Sequence, residues 1–95
     1  MSEFEIVRED KGASGRYVVY LEGGLEAEMT YQRAGNVLAV DHTFVPPEFR
    51  GTDIARRLVQ QGVDDARADG NLIRPVCSYV VAQFRRHPEW ADLHA

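Results

Sequence analysis

The sequence predicts an α+β domain in which four antiparallel strands precede a helix, a short fifth strand and a last helix. In the first half of the chain, short β-rich runs alternate with glycine-containing turns. After Pro46 and Pro47 the apolar residues recur at helical spacing instead. Gly70 and Asn71 then end the helical pattern, and another short apolar run follows. These observations together predict the element order ββββαβα.

The four strands of the antiparallel meander are predicted over residues 4–8, 16–22, 25–32 and 37–45. Gly23 and Gly24 form the tight turn between the second and third strands, because glycine adopts positive φ without a steric cost. The third strand alternates apolar and polar residues, so one of its faces should meet solvent. The fourth is nearly all apolar apart from Asp41, His42 and Thr43, which is typical of a central strand covered on both faces.

The second half of the chain predicts a crossover helix over residues 52–69 and a fifth strand over residues 72–76, parallel to the fourth. Pro75 lacks an N–H group, so the fifth strand cannot complete its pairing there. A last helix is predicted over residues 78–86, and Pro88 ends it.

Length and composition fit one globular domain over residues 1–95, with 44% hydrophobic and 27% charged residues. The formal net charge of −4 argues against non-specific nucleic-acid binding, because no overall positive field attracts phosphates. No apolar run approaches the roughly 18 residues that span a bilayer, and no signal peptide is recognisable. With a single cysteine, the expected location is the reducing cytoplasm. The histidines lack metal-ligand spacing, so no metal is expected.

A strand, a turn containing Arg50 and Gly51, and a helix N-terminus follow one another near the middle of the chain. Unpaired backbone N–H groups and the helix dipole converge at such a junction, which makes it a generic anion site. Pyrophosphate is a natural ligand for this arrangement. The same pattern also fits a simple connector in which Arg50 is a surface charge.

Residues 42–59, which read HTFVPPEFRGTDIARRLV, resemble the acetyl-CoA motif of the GNAT N-acetyltransferases. Residues 75–80 (PVCSYV) and 85–93 (RRHPEWADL) are similar to the signature of the small, single-motif branch of that superfamily. The resemblance covers residues 42–93, over half of the chain, with the motifs in the family order. It implies a minimal GNAT-like fold, a fifth strand splayed from the fourth to form a V-shaped groove, and acetyl-CoA as cosubstrate.

The resemblance also implies a role for each matching residue around acetyl-CoA. In the family, the end of the fourth strand pairs with the pantetheine arm, and main-chain amides of the following loop cradle the pyrophosphate. Carried over, this pattern places Phe44 and Val45 on pantetheine, and Arg50, Gly51, Thr52, Asp53, Ile54, Ala55 and Arg56 around the phosphates. It raises the expectation that Arg85 or Arg86 touches a CoA phosphate, although the helix dipole favours cations at a helix C-terminus regardless of function.

Asp53 departs from the family pattern, which usually has glycine at this position. A carboxylate there meets like charge from the pyrophosphate, although it suits the positive end of the helix dipole. Arg56 and Arg57 follow at the i+3 and i+4 positions, within reach of an ion pair on the same helix face. We therefore expect Asp53 to turn outward, to pair with one of these arginines and to weaken CoA binding.

Three residues are candidates for the chemistry, and each also has a structural interpretation. Cys77, beside the N-terminus of the last helix, is either a thiolate that accepts acetyl or a buried small hydrophobe. His42 on the fourth strand is either a base for an amine or a thiol, or a hydrogen-bonded strand histidine. The resemblance makes Tyr79 a proton donor to the leaving CoA thiolate, and the alternative is a packed tyrosine.

The expected activity is transfer of acetyl from acetyl-CoA to an amine, by direct attack or through an acetyl-thioester on Cys77. GNAT enzymes build the acceptor site from further helices and strands that this sequence does not predict. The expected acceptor is therefore a flexible protein tail or a small polyamine, bound by a monomer or a weak homodimer. The alternative is a non-catalytic acyl-CoA-binding or partner-binding module, and a purely structural α+β domain would bind no CoA.

Overall fold

The computed structural model describes residues 4–95, and within them five strands form one mixed sheet. The strands are β1 (Val7–Asp10), β2 (Ser14–Tyr20), β3 (Glu26–Ala34), β4 (Val37–Phe44) and β5 (Leu72–Pro75). The helices are α1 (Ile54–Asp69) and α2 (Ser78–Arg86), and short 3-10 turns cover Glu22–Gly24, Pro47–Phe49 and Pro88–Leu93. The strands lie in chain order, with β4 and β5 parallel and the other neighbours antiparallel. The predicted α+β fold with the order ββββαβα is confirmed.

The hydrophobic core lies between one face of the sheet and the two helices. Ala27, Met29 and Tyr31 alternate along β3 and are buried, whereas the residues between them are partly exposed. Buried residues of α1 recur every three or four positions: Ile54, Leu58, Val59, Gly62, Val63 and Ala66. Burying one such aliphatic side chain stabilises the fold by about 1.5–3 kcal/mol. This packing fixes α1 across the sheet.

The first two strands are displaced along the chain from their predicted positions. β1 is Val7–Asp10 instead of residues 4–8, and β2 is Ser14–Tyr20 instead of residues 16–22. The predicted first strand excluded Glu9, yet Glu9 accepts a hydrogen bond from Arg16 on β2 at 2.8 Å. Cross-strand pairs of opposite charge stabilise a sheet, so charged residues continue β1 instead of ending it.

The prediction that β4 is central and covered on both faces is wrong. β3 occupies the middle of the sheet, and Asp41 and His42 on β4 are exposed. β4 also contains a β-bulge: Thr30 pairs with His42, but the next residue, Tyr31, pairs with Val40, which leaves Asp41 as the extra residue. Because side chains alternate along a strand, the bulge moves the later side chains of β4 to the opposite face.

The two helices are close to their predictions. α1 begins at Ile54, two residues later than predicted, and ends at Asp69 as predicted. Gly70 follows in the left-handed conformation, with φ 73°, and its N–H bonds to the Ala66 carbonyl, as a glycine stop requires. α2 covers the predicted residues 78–86. Among residues 4–95, no helix is long and apolar enough to cross a membrane.

Candidate active site

The pairing of β4 with β5 ends where Val40 lies opposite Pro75. The N–H groups of Val76 and Cys77 both bond to the carbonyl oxygen of Val40, at 3.0 and 3.1 Å. β4 then runs on to its end while the chain turns from β5 into α2. Residues 41–44 therefore have no neighbour on β5, and the two strands splay as predicted.

The loop between β4 and α1 is held by hydrogen bonds to its own backbone. Arg50 Nε donates to the Val45 carbonyl at 3.3 Å, and the Thr52 hydroxyl donates to the Phe49 carbonyl at 2.6 Å. Gly51 has φ 88°, a conformation that costs a residue with a Cβ about 1–2 kcal/mol. The space around an added Cβ at Gly51 is open among the described residues, so glycine is needed here for its backbone conformation.

The N-terminus of α1 presents backbone N–H groups beside this loop. The first intrahelical bond runs from the Arg57 N–H to the Asp53 carbonyl, at 3.0 Å. The Ile54 N–H donates to the Thr52 hydroxyl oxygen at 3.4 Å, and the N–H groups of Ala55 and Arg56 have no acceptor within the helix. Together with the helix dipole, they favour a negatively charged ligand at this end of α1.

Asp53 occupies the N-cap position of α1, but its side chain does not cap the helix. Its Oδ2 atom lies 3.5 Å from Arg56 Nη2 and 3.8 Å from Arg57 Nη1. The expected ion pair with these arginines is thus present, although its partly exposed position limits each pair to about 1 kcal/mol or less. Asp53 offsets part of the positive charge that Arg56 would otherwise offer an anion.

A shallow cavity of about 200 Å³ joins the end of β4 to the start of α1. It is lined by Thr43, Phe44, Val45, Arg50, Ala55 and Tyr79. The sequence predicted all of these as site residues except Thr43. The structure therefore brings the predicted pantetheine, phosphate and proton-donor residues to one place.

This cavity is not the largest one in the described residues. A cavity of about 390 Å³ lies over β1, β2 and β3, and its lining includes Lys11, Arg16 and Gln32. Arg16 is already bonded to the carboxylates of Glu9, Glu26 and Glu28. The lining of that cavity contains no residue of the β4–α1 loop, of α1 or of α2, so we place the site at the smaller cavity.

Cys77 and Tyr79 stand at the start of α2, next to the splay. The Cys77 side chain is partly buried, and its Sγ lies 3.4 Å from the Thr43 hydroxyl oxygen. Burial raises the pKa of Tyr79 above its ordinary value, against the opposing charges of Arg56 and Arg86. Tyr79 therefore keeps its proton at neutral pH and can act as a donor.

His42 lies on the outer face of the sheet, away from Cys77. Its side chain is 55% exposed, and its Nε2 atom lies 3.7 Å from a carboxylate oxygen of Glu28. Strict alternation from Val40 would have placed His42 on the helix-covered face, but the bulge places Thr43 there instead. The structure brings Thr43 to Cys77 and does not bring His42 to it.

Comparison with known proteins identifies the family. The sequence profile described as GCN5-related N-acetyl-transferase matches residues 16–93. The chain belongs to this family. Family and fold together support acetyl transfer as the general activity, with acetyl-CoA as the general cosubstrate of a GNAT domain.

Two solved structures are similar to this GNAT domain. A GCN5-like candidate N-acetyltransferase from Staphylococcus aureus, solved by NMR, has a TM-score of 0.73 at 25% identity and covers 100% of this chain and 91% of that one. The crystal structure of nourseothricin acetyltransferase has a TM-score of 0.61 at 25% identity, over 81% of this chain and 50% of that one. The domain thus spans about half the length of that enzyme. Among curated proteins, no sequence matches the chain.

Arg85 and Arg86 of the GNAT domain point to different surroundings. The positive charge of Arg86 opposes the rise that burial causes in the pKa of the Tyr79 phenol. Arg85 instead lines a cavity of about 360 Å³ with Pro75 and His94. A contact of either arginine with a CoA phosphate stays a prediction.

Thr43 is the site residue that sequence reasoning missed. Its position depends on the bulge, and the sequence signals the bulge only through the polar residues that interrupt the apolar run of β4. Such an interruption also fits an unbulged strand with one wet face. The pattern of residues therefore could not decide which side chain of β4 meets Cys77.

Proposed function

We propose that this GNAT domain binds acetyl-CoA between the unpaired end of β4 and the N-terminus of α1, and transfers its acetyl group to an amine. The observation that carries the proposal is the shared cavity of Val45, Arg50, Ala55 and Tyr79 at the β4–β5 splay. A long ligand with an anionic end and a thioester end needs both a phosphate site and an open strand edge, and this cavity adjoins both.

The phosphates would occupy the loop and the first turn of α1. Main-chain N–H groups of Ala55 and Arg56 supply donors, and the left-handed Gly51 lets the backbone approach the ligand closely. The guanidinium of Arg50 lies at the same cavity. Amides and guanidinium groups form strong hydrogen bonds to phosphate oxygens, so this donor set fits a pyrophosphate.

The pantetheine arm would pair with the free edge of β4. Residues 41–44 keep the N–H and C=O groups that β5 leaves unpaired, and an extended amide-bearing chain can satisfy them as an added strand would. Phe44 is 41% exposed and Val45 packs against the core, so both offer apolar contact to the arm. The thioester would then point toward Cys77 and Tyr79.

Two routes of transfer fit this arrangement. In the direct route, the amine nitrogen attacks the acetyl carbonyl carbon, an N–C bond forms, and the C–S bond to CoA breaks. Tyr79 gives its proton to the departing sulfur, and the amine nitrogen loses its proton to water. In the other route, the Cys77 thiolate first forms an S–C bond to the acetyl carbon as the C–S bond to CoA breaks. The amine nitrogen then forms an N–C bond as the C–S bond to Cys77 breaks, and the amine proton passes to the Cys77 sulfur.

Intact-mass analysis after incubation with acetyl-CoA tests the proposal and separates the routes. An acetyl group on the wild-type protein that hydroxylamine removes, and that Cys77→Ala lacks, supports the thioester route. Acetylation of a lysine-containing peptide or of spermidine at equal rates by both proteins supports the direct route. Acetyl-CoA that is bound and left intact with every amine tested contradicts the transferase.

The second candidate is a non-catalytic acyl-CoA-binding or partner-binding module. The position of Asp53 favours it, because the carboxylate ties up Arg56 and Arg57 at the phosphate end of the site. Such a module would bind acetyl-CoA and release it unchanged. The expected acceptor classes, the monomer or weak homodimer and the cytoplasmic location stay predictions.

A further inference from the structure

The contact between Thr43 and Cys77 bridges the splay between β4 and β5. The Thr43 hydroxyl oxygen and the Cys77 sulfur are 3.4 Å apart, within hydrogen-bonding distance for sulfur. The two side chains come from different directions, since Thr43 lies near the end of β4 and Cys77 occupies the N-cap position of α2. A hydrogen bond here therefore spans the place where the reacting thioester is expected.

Both partners of this contact are held by the backbone. The Cys77 N–H bonds to the Val40 carbonyl at 3.1 Å, and the Val81 N–H bonds to the Cys77 carbonyl at 3.0 Å. Thr43 pairs with Met29 across β3 and β4, and its branched Cβ restricts rotation about χ1. The hydroxyl is therefore aimed at the sulfur by the fold.

The hydrogen bond has a fixed direction once the thiol ionises. A thiol and a hydroxyl can each donate to the other, but a thiolate has no proton and can only accept. The Thr43 hydroxyl then becomes the donor, and a donor stabilises the charged form of its partner. The first-turn N–H groups of α2 act in the same sense, because Cys77 precedes them at the positive end of the helix.

We propose that Thr43 is a positioning residue that donates a hydrogen bond to the Cys77 thiolate and increases its population at neutral pH. The proposal rests on the transferase function proposed above and deepens its thioester route. It assigns to a hydroxyl the part that His42 was expected to play for the thiol, because His42 lies on the outer face of the sheet.

The other polar side chains near Thr43 and Cys77 are the same in every variant that is compared. Tyr79 on α2 is the titratable neighbour of Cys77, and Arg56 from α1 and Arg86 from α2 are the cations near that tyrosine. None of these side chains is altered in the variants below. A change in the reactivity of Cys77 therefore reports on Thr43.

The test measures the rate at which iodoacetamide alkylates the protein between pH 5 and pH 10, without any CoA present. Cys77 is the only cysteine of the chain, so alkylation reports on that single thiol. Thr43→Val keeps the shape of the side chain and removes the donor. We expect alkylation at pH 7 to become about tenfold slower, with the midpoint of the pH–rate profile about one unit higher.

Three further variants sharpen the comparison. Thr43→Ser retains the hydroxyl and should keep the wild-type midpoint. Thr30→Val removes a threonine hydroxyl from the neighbouring strand, where it donates to Asp41 at 2.6 Å, and should leave alkylation unchanged. His42→Asn should also leave it unchanged, because His42 lies on the other face.

A Thr43→Val profile that overlays the wild-type one would overturn the proposal, and so would a shift in His42→Asn as large as that in Thr43→Val. If Thr43→Val does not fold by circular dichroism, Thr43→Ala removes the same donor with less bulk and is judged by the same profile. The alkylation test does not depend on the transferase proposal. If acetyl-CoA does not bind, the transferase proposal fails, even when the alkylation profiles differ as expected.

Discussion

Asp53 offers the sharpest test of the phosphate site, because it places a negative charge where a pyrophosphate is expected. Replacing it with asparagine keeps the size of the side chain and removes the charge. The substitution also frees Arg56 and Arg57 from the ion pairs at 3.5 and 3.8 Å. We expect Asp53→Asn to bind acetyl-CoA more tightly than the wild-type protein, and Asp53→Gly to do the same.

The size of the gain follows from the geometry of the first turn. A phosphate on the first-turn amides would lie about one helical pitch, or roughly 5–6 Å, from Asp53. Coulomb's law gives about 0.7 kcal/mol for two unit charges roughly 6 Å apart in water. A pyrophosphate with about two charges then gains about 1.4 kcal/mol, or about tenfold in affinity, at low ionic strength. Screening at about 0.1 M salt should reduce the gain to about fourfold.

Isothermal titration calorimetry at low and at moderate salt measures this gain. Asp64→Asn is the matched control, because Asp64 lies on the same helix and accepts a hydrogen bond from Gln60 at 3.0 Å. It lies about 16 Å further along α1 at 1.5 Å per residue, so its Coulomb interaction with the phosphates is about a third of that of Asp53 at low salt and is largely screened at about 0.1 M. Asp64→Asn should therefore gain much less affinity for acetyl-CoA than Asp53→Asn at low salt and almost none at about 0.1 M.

The reasoning is refuted if Asp53→Asn binds acetyl-CoA no more tightly than the wild-type protein at low salt. It is refuted equally if Asp64→Asn gains as much, since the effect would then reflect net charge and not position. The stability of Asp53→Asn should fall by about 0.5–1 kcal/mol, because the helix loses a favourable charge at its N-terminus. Urea unfolding separates this loss from the change in binding.

Three further predictions concern the glycines and one carboxylate. Gly51→Ala and Gly24→Ala should each lower the free energy of unfolding by about 1–2 kcal/mol, because both glycines have positive φ. Only Gly51→Ala should also weaken the binding of acetyl-CoA, as measured by calorimetry. Gly15→Ala should lower the free energy of unfolding by more than about 2 kcal/mol in urea unfolding, because the Cβ of the new alanine would lie 2.6 Å from the Tyr31 ring. The pKa of Asp10 is lowered to about 2 by the hydrogen bond from Tyr31 and by the neighbouring donors. The ionised Asp10 carboxylate therefore stabilises the fold above about pH 4, and this stabilisation is lost as the pH falls toward 2. Asp10→Asn should flatten the loss of stability over that range in pH-dependent thermal unfolding.

The sequence was sufficient to predict the structural features that depend on local residue patterns. The spacing of Ile54, Leu58 and Ala66 fits only a helix with one buried face, and Gly70 supplies the left-handed residue that ends it. The parallel placement of β5 follows from the crossover helix that precedes it. These features place the loop and the N-terminus of α1 next to the end of β4.

The sequence was insufficient to predict the structural features that depend on pairing between distant residues. β1 extends through Glu9 because Arg16 on the next strand pairs with it, and no local pattern in β1 shows that partner. The bulge in β4 depends on the register with β3, and this register decides that Thr43 and not His42 faces Cys77. A shift of one residue exchanges the two faces of a strand, so the site is more sensitive to register than the fold is.

The central claim is that acetyl-CoA binds at the splay of β4 and β5, and titration of ¹⁵N-labelled protein with acetyl-CoA tests it most directly. We expect amide shifts at residues 41–44, at residues 50–57 and at Cys77, and shifts at residues 50–57 alone with ADP, which carries the pyrophosphate without the pantetheine arm. Unchanged amides up to about 1 mM ligand would mean binding weaker than about −4 kcal/mol and would contradict the claim. Shifts confined to the larger cavity at Lys11, Arg16 and Gln32 would contradict it as well.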